Sequence, residues 1–178
     1  MTAVIYVPGT DELDQKKQNI SLQQLAARLG PVISGQIPGT ATNDSATAGN
    51  VGEYVSSTVL AGSAVALTTN TATNITSISL TAGDWDVTGA IFQQPNGATV
   101  VTLIIGWIST TSATLPTAPN NGGEALWSGN VTGNGNSTQP GPMRLSLSST
   151  TTVYLSTFVT FTTNTNSAYG IIRARRVR

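Results

Sequence analysis

Residues 151–162 read TTVYLSTFVTFT, and residues 100–108 read VVTLIIGWI. Successive side chains of a strand point to opposite faces. In the first run Val153, Leu155, Val159 and Phe161 therefore fall on one side, with Tyr154, Ser156, Phe158 and Thr160 on the other. Aromatic groups stand on both sides. The second run is rich in β-branched residues and is apolar on both faces as well. A monomeric antiparallel sandwich normally alternates apolar-in with polar-out. Two-faced strands demand outer cover, either from a loop of the same chain or from sister subunits.

Around these runs the β pattern recurs. Strands are predicted near residues 54–60, 64–69, 74–80, 84–93, 99–108, 123–127, 143–148 and 151–162, and a ninth over 168–177 closes the chain. The breaks hold turn-forming pairs such as Ala61-Gly62 and Ala82-Gly83, the longer Gln94-Pro95-Asn96-Gly97 and Pro119-Asn120-Asn121-Gly122, and the polar stretch GNVTGNGNSTQPGP at 129–142. That stretch reads as a long flexible loop. No helical pattern interrupts the series, so parallel crossovers are not expected. The predicted fold is all-β, an antiparallel two-sheet β-sandwich (jelly roll), carrying a short N-terminal arm with one short helix.

Charge divides the chain. Residues 1–28 hold Asp11, Glu12, Asp14, Lys16, Lys17 and Arg28, whereas the long middle holds only Asp44, Glu53, Asp84, Asp86, Glu124 and Arg144, and the end reads RARRVR. In the leading piece Ser21 and Gln24 form an S-x-x-Q capping box, Ile20 and Leu25 a hydrophobic staple, and Leu22, Leu25, Ala26 and Leu29 a helical stripe stopped by Gly30-Pro31. Isolated helices this short are marginal in water, so the stripe must dock on something, whether its own β domain, a neighbour or a partner particle. Ahead of it Ala3, Ile5 and Val7 alternate up to Pro8-Gly9, an extended arm able to add to a sheet edge. Residues 31–50 read as a linker. The expected organisation is an anchoring arm at 1–30, the linker at 31–50 and the β domain at 51–178.

Composition limits the chemistry. With 39% hydrophobic and 9% charged residues and a formal net charge of zero, the chain is not of the disordered class, which combines low hydrophobicity with high net charge. The absence of His removes the commonest general base and metal ligand, and the absence of Cys removes thiol chemistry and disulfides. No cofactor and no metal site is expected. Zero net charge argues against a nucleic-acid partner, and no apolar run is long enough for a membrane span.

The segment TSISLTAGDWDVTGAIFQ at 76–93 resembles the Ala-Gly-x-aromatic-x-Val-x-Gly strand of trimeric jelly-roll heads in bacteriophage structural proteins, and more distantly of C1q and tumour-necrosis-factor-like trimers. The ending NSAYGIIRARRVR at 166–178 resembles their Tyr-Gly closing strand, and GNVGEYVSST at 49–58 is similar to openings of phage virion proteins. The collagen repeat of C1q-like chains is missing, and an arm with a short helix takes its place. The resemblance implies a homotrimer within a virion, assembled in the host cytoplasm. Its arm would clip onto the major capsid protein or another virion lattice protein, as in head decoration, cement or fibre proteins. The arm residues expected to anchor it are Ile5, Val7, Ile20, Leu22, Leu25 and Leu29. Those expected at the trimer interface are Leu103, Ile105, Trp107, Tyr154 and Phe158.

Other residues invite chemistry and have plainer readings beside it. Asp84 and Asp86 share a face of one strand, as paired carboxylates or part of a Ca²⁺ site would, but Gly83-Asp84 is also an ordinary strand entry, and no catalytic pair is expected. Trp85 and Trp107 sit inside apolar strands and read as packing groups. Trp127, between a Gly-Gly turn and Ser-Gly, is the candidate glycan contact of the alternative function, a tail-fibre protein recognising host surface glycans. The four terminal arginines split over both faces of their strand, which favours pairing with acidic side chains over a phosphate groove.

Overall fold

The structure, a computed structural model, describes residues 44–120 and 123–178 together with Gln24 and Thr42. The chain divides into two units, Met1–Asp44 and Ser45–Arg178. Gln24 is helical. The expected anchoring residues Ile5, Val7, Ile20, Leu22, Leu25 and Leu29 lie outside the described residues.

The described residues of Ser45–Arg178 form ten strands and one 3-10 turn. They are β1 (Tyr54–Val59), the turn Ala61–Ser63, β2 (Val65–Leu67), β3 (Ala72–Leu80), β4 (Gly83–Pro95), β5 (Val100–Ser109), β6 (Glu124–Thr132), β7 (Ser137–Thr138), β8 (Met143–Leu147), β9 (Thr151–Thr162) and β10 (Asn166–Arg176). All pairings are antiparallel. One sheet runs β1-β10-β4-β7, with β2 also on β10 and β8 also on β4; the other runs β3-β9-β5-β6. β1 and β2 share one edge of β10, and β7 and β8 share one edge of β4. Counted as two broken strands, they leave four strands per sheet. The chain passes from sheet to sheet at every connection except the β5–β6 hairpin, which is the jelly-roll arrangement.

Alternation places the core. From β9, Val153, Leu155, Val159 and Phe161 turn inward and are buried; the first two cluster with Trp85, Val87 and Ile91 of β4 and Ile172 and Ala174 of β10, the last two with Val101 and Ile104 of β5. Where strands come too close for a Cβ the chain uses glycine. A Cβ on Gly170 would stand 2.2 Å from the Ala90 carbonyl oxygen, and one on Gly106 2.4 Å from Thr138 Oγ1 on the facing sheet.

The polar stretch at 129–142 differs from its sequence reading. Its first residues extend β6 to Thr132 and its middle supplies β7. The cause is pairing. Val131 lies opposite Val101, and Asn136 and Pro140 carbonyls accept the Gln93 and Gly89 N–H groups at 2.8 and 2.9 Å, so the segment closes the free edge of β4.

Candidate assembly surface

The outer face of the β3-β9-β5-β6 sheet carries the residues expected at a subunit interface. By register, Phe158 stands opposite both Ala72 and Ile105, and Ile105 opposite Leu126, so one cross-strand row reads Ala72, Phe158, Ile105, Leu126. Leu103 and Tyr154 are half-buried neighbours on the same face, while Leu126 is 63% exposed. This row has no charged member.

The next row ends differently. Asn74 pairs with Ser156, Ser156 with Trp107, and Trp107 with Glu124; Ser156 and Trp107 are fully buried although they point away from the core. The β5–β6 connection supplies the cover. Asn74 Nδ2 donates to Ser112 Oγ at 2.7 Å, and Asn74 Oδ1 accepts from Ala113 N at 2.8 Å and from Ser156 Oγ at 2.7 Å, while Asn120 Nδ2 donates to the Ile108 carbonyl at 2.8 Å. The connection is thus fastened across the sheet. Trp107, expected as a contact between subunits, is sheltered by its own chain, and its Nε1–H has no partner among the described residues.

Trp127 is also placed by packing. It is half-buried against the cluster of Val101, Ile104, Val159 and Phe161, with its ring over Gly129, where a Cβ would come within 2.9 Å of the indole. Its strand neighbour Leu126, which the sequence reading passed over, is the exposed group. The signal was the alternation in Glu124-Ala125-Leu126-Trp127: once Trp127 turns inward, Leu126 must turn out.

The ionisable groups gather at one end of the other sheet. Arg176 is buried and bonds Glu53 Oε2 through Nε at 2.9 Å and the Ala82 carbonyl at 2.7 Å; it also reaches Thr81 Oγ1 and lies 4.3 Å over the ring of Trp85. Trp85 Nε1–H donates to the Thr81 carbonyl at 2.9 Å. Backbone bonds Gly52 N to Arg176 O and Arg176 N to Glu53 O, both 2.9 Å, tie the start of the unit to the chain's end. Asp84 Oδ2 takes Arg144 at 2.9 Å and Arg178 at 2.5 Å.

Both carboxyls titrate below their usual range. The Gly49 N–H holds Glu53 down, with Arg176 adding to it against the cost of burial. The Arg144 guanidinium does the same for Asp84, with Ser146 and Arg178 helping. A carboxylate so committed makes a poor general acid or base. Asp86, two residues on, is exposed, and it pairs in register with Arg175 and Arg144. Arg176 and Arg178 therefore neutralise acids of their own chain, as the split over two faces favoured. Among the described residues no group of three or more acidic side chains is placed to hold a metal ion.

No protein-family model and no curated protein matches this chain. Solved structures of infectious bursal disease virus are similar to it. The Gx strain aligns at a TM-score of 0.42 with 12% identity over 79% of this chain, and T=1 particles derived from the virus at 0.42 with 13% identity over 80%. The Gt strain aligns at 0.37 with 14% identity. This chain spans 37% of the length of the first two and 36% of the third. Likeness at this level carries no inference about what the chain does.

Proposed function

We propose that this chain is a non-enzymatic virion structural protein: a head decoration, cement or fibre subunit whose β domain assembles as a homotrimer and whose arm, residues 1–30, attaches it to a capsid lattice. The observation that carries the reading is the uncharged row Ala72, Phe158, Ile105, Leu126 on an outer sheet face, with Leu126 63% exposed. Closed cyclic assembly hides such a face by repetition of one contact. The virion assignment draws on the three segments of the resemblance, 49–58, 76–93 and 166–178. In the fold the last two are partners, since β4 and β10 pair from Trp85↔Arg176 to Pro95↔Asn166.

Light scattering tests the assembly. The expected mass is about three times the 18.3 kDa chain, and Leu126→Asp should reduce it to the monomer. Co-sedimentation with purified capsids tests the arm: removal of residues 1–30 should abolish binding and leave the β domain trimeric. A wild-type chain that stays monomeric at high concentration, or full capsid binding without the arm, refutes the corresponding half of the proposal.

A further inference from the structure

At the other end of the β1-β10-β4 sheet from the Arg176 cluster lies a cleft of about 500 Å³, within the range of small-molecule sites. One wall is the 3-10 turn and β2, where Ala61, Gly62, Ala64 and Ala66 leave a low apolar surface. The opposite wall is the end of β4 and the start of β10, with Gln94, Asn96, Thr165 and Ser167. The walls are held by backbone pairing. Ser167 is in register with Ala66 on one side and Gln94 on the other, and Asn96 N donates to the Thr165 carbonyl at 3.0 Å.

The lining has a distinct chemistry. It contains no ionisable side chain. The side-chain amides of Gln94 and Asn96 make no hydrogen bond among the described residues, leaving two donors and an acceptor on each. Asn166, the neighbour of Ser167, turns to the inner face instead, where its Nδ2 donates to Gln93 Oε1 at 3.1 Å. Phe92 and Tyr169 form the next row on this outer face, stacked with ring centroids 5.3 Å apart, and Phe92 is 38% exposed.

We infer that this cleft binds a neutral saccharide. A phosphate or sulfate would find no cation in it, and a wholly apolar ligand would strip water from free amides without replacing their bonds. A pyranose matches both walls. Its hydroxyls donate and accept as the amides and Ser167 do, and its C–H face lies on the alanine wall, with the aromatic row extending the platform for a second ring. The site is distinct from Trp127, whose ring is engaged with the core. It does not depend on trimer formation, and a monomeric protein leaves it standing.

The test is calorimetric titration of the full chain with neutral tetrasaccharides of glucose, galactose and mannose, alongside a sulfated tetrasaccharide and inorganic phosphate. At least one neutral sugar should bind with a dissociation constant of about 1 mM or tighter. The double variant Gln94→Ala/Asn96→Ala and the cleft-filling Ala66→Trp should each weaken it by about tenfold or more. Melting by circular dichroism identifies any variant that fails to fold, and the double variant, altered at exposed side chains, decides the case alone. The inference is overturned by absence of neutral-sugar binding up to about 10 mM, by preference for the sulfated sugar or phosphate, or by undiminished affinity in the double variant.

Discussion

Trp85 and Trp107 are both fully buried, yet their indole N–H groups are in opposite states, and that contrast yields a sharp prediction. Trp85 Nε1–H donates to the Thr81 carbonyl at 2.9 Å, with the Arg176 guanidinium 4.3 Å over the ring; Trp107 Nε1–H has no partner among the described residues. Replacing either by Phe removes the same volume, so the cavity cost cancels to first order in the comparison. Trp85→Phe gives up a hydrogen bond worth about 1 kcal/mol and part of a cation–π contact worth about 0.5–2 kcal/mol. Trp107→Phe removes a buried unsatisfied donor whose desolvation costs about 1–3 kcal/mol. Trp85→Phe should therefore be the more destabilising by about 2–6 kcal/mol, a gap of at least roughly 5 °C in melting temperature at this size. Urea and thermal unfolding at one fixed protein concentration measure it, since an oligomer's melting depends on concentration. Equal losses, or a larger loss for Trp107→Phe, would refute the burial of an unpartnered Trp107 indole under the β5–β6 connection.

Acid should weaken the domain. The folded-state pKa values of Glu53 and Asp84 are depressed, so their contribution is full at neutral pH and is lost as pH falls through the folded values, which lie below those of free carboxyls. Melting temperature followed from pH 7 to pH 3 should show that fall, and Glu53→Gln should lower the pH 7 value while flattening the profile. Gly170→Ala should cost at least about 2–3 kcal/mol by urea unfolding, because its Cβ would lie 2.2 Å from the Ala90 carbonyl oxygen between two central strands. A loss under about 0.5 kcal/mol would mean the strands pair more loosely than described. Leu126→Asp should lower the mass in light scattering and leave the thermal transition of the monomeric domain intact, since the side chain is 63% exposed.

Strand positions were legible because the period of two is local. Val153, Leu155, Val159 and Phe161 read as one face from twelve residues of sequence, and they are one face of the core. What hides an outer face is not local. Trp107 and Tyr154 look alike in an alternating pattern. Trp107 is sealed because Asn74, some thirty residues earlier in the chain, holds Ser112 and Ala113 of the β5–β6 connection, and no periodicity announces such a bond. The same limit explains β7: two residues in a Gly- and Asn-rich stretch become a strand because the edge of β4 offers unpaired N–H groups there. Arg176 shows a third form of the problem. Four closely spaced arginines look equivalent, and only the fold decides that this one meets Glu53 inside while Arg173 and Arg175 face solvent.

These differences narrow the question posed by strands that are apolar on both faces. Two explanations were open, a covering loop and sister subunits, and the loop accounts for only one part of the strand pair. At the Trp107–Ser156 row the chain covers itself. One row along, at Ile105–Phe158, cover runs out before Leu126, and sequence alone cannot tell the two rows apart. An interface between copies would therefore centre on Phe158 and Leu126, with Trp107 acting from behind as part of a fixed support. This separates their mutational signatures. Changes at Trp107 should alter unfolding of the domain, whereas Leu126→Asp should alter mass. If Trp107→Phe dissociated the assembly without changing unfolding of the isolated domain, the division of the face into a self-covered and a shared half would be wrong.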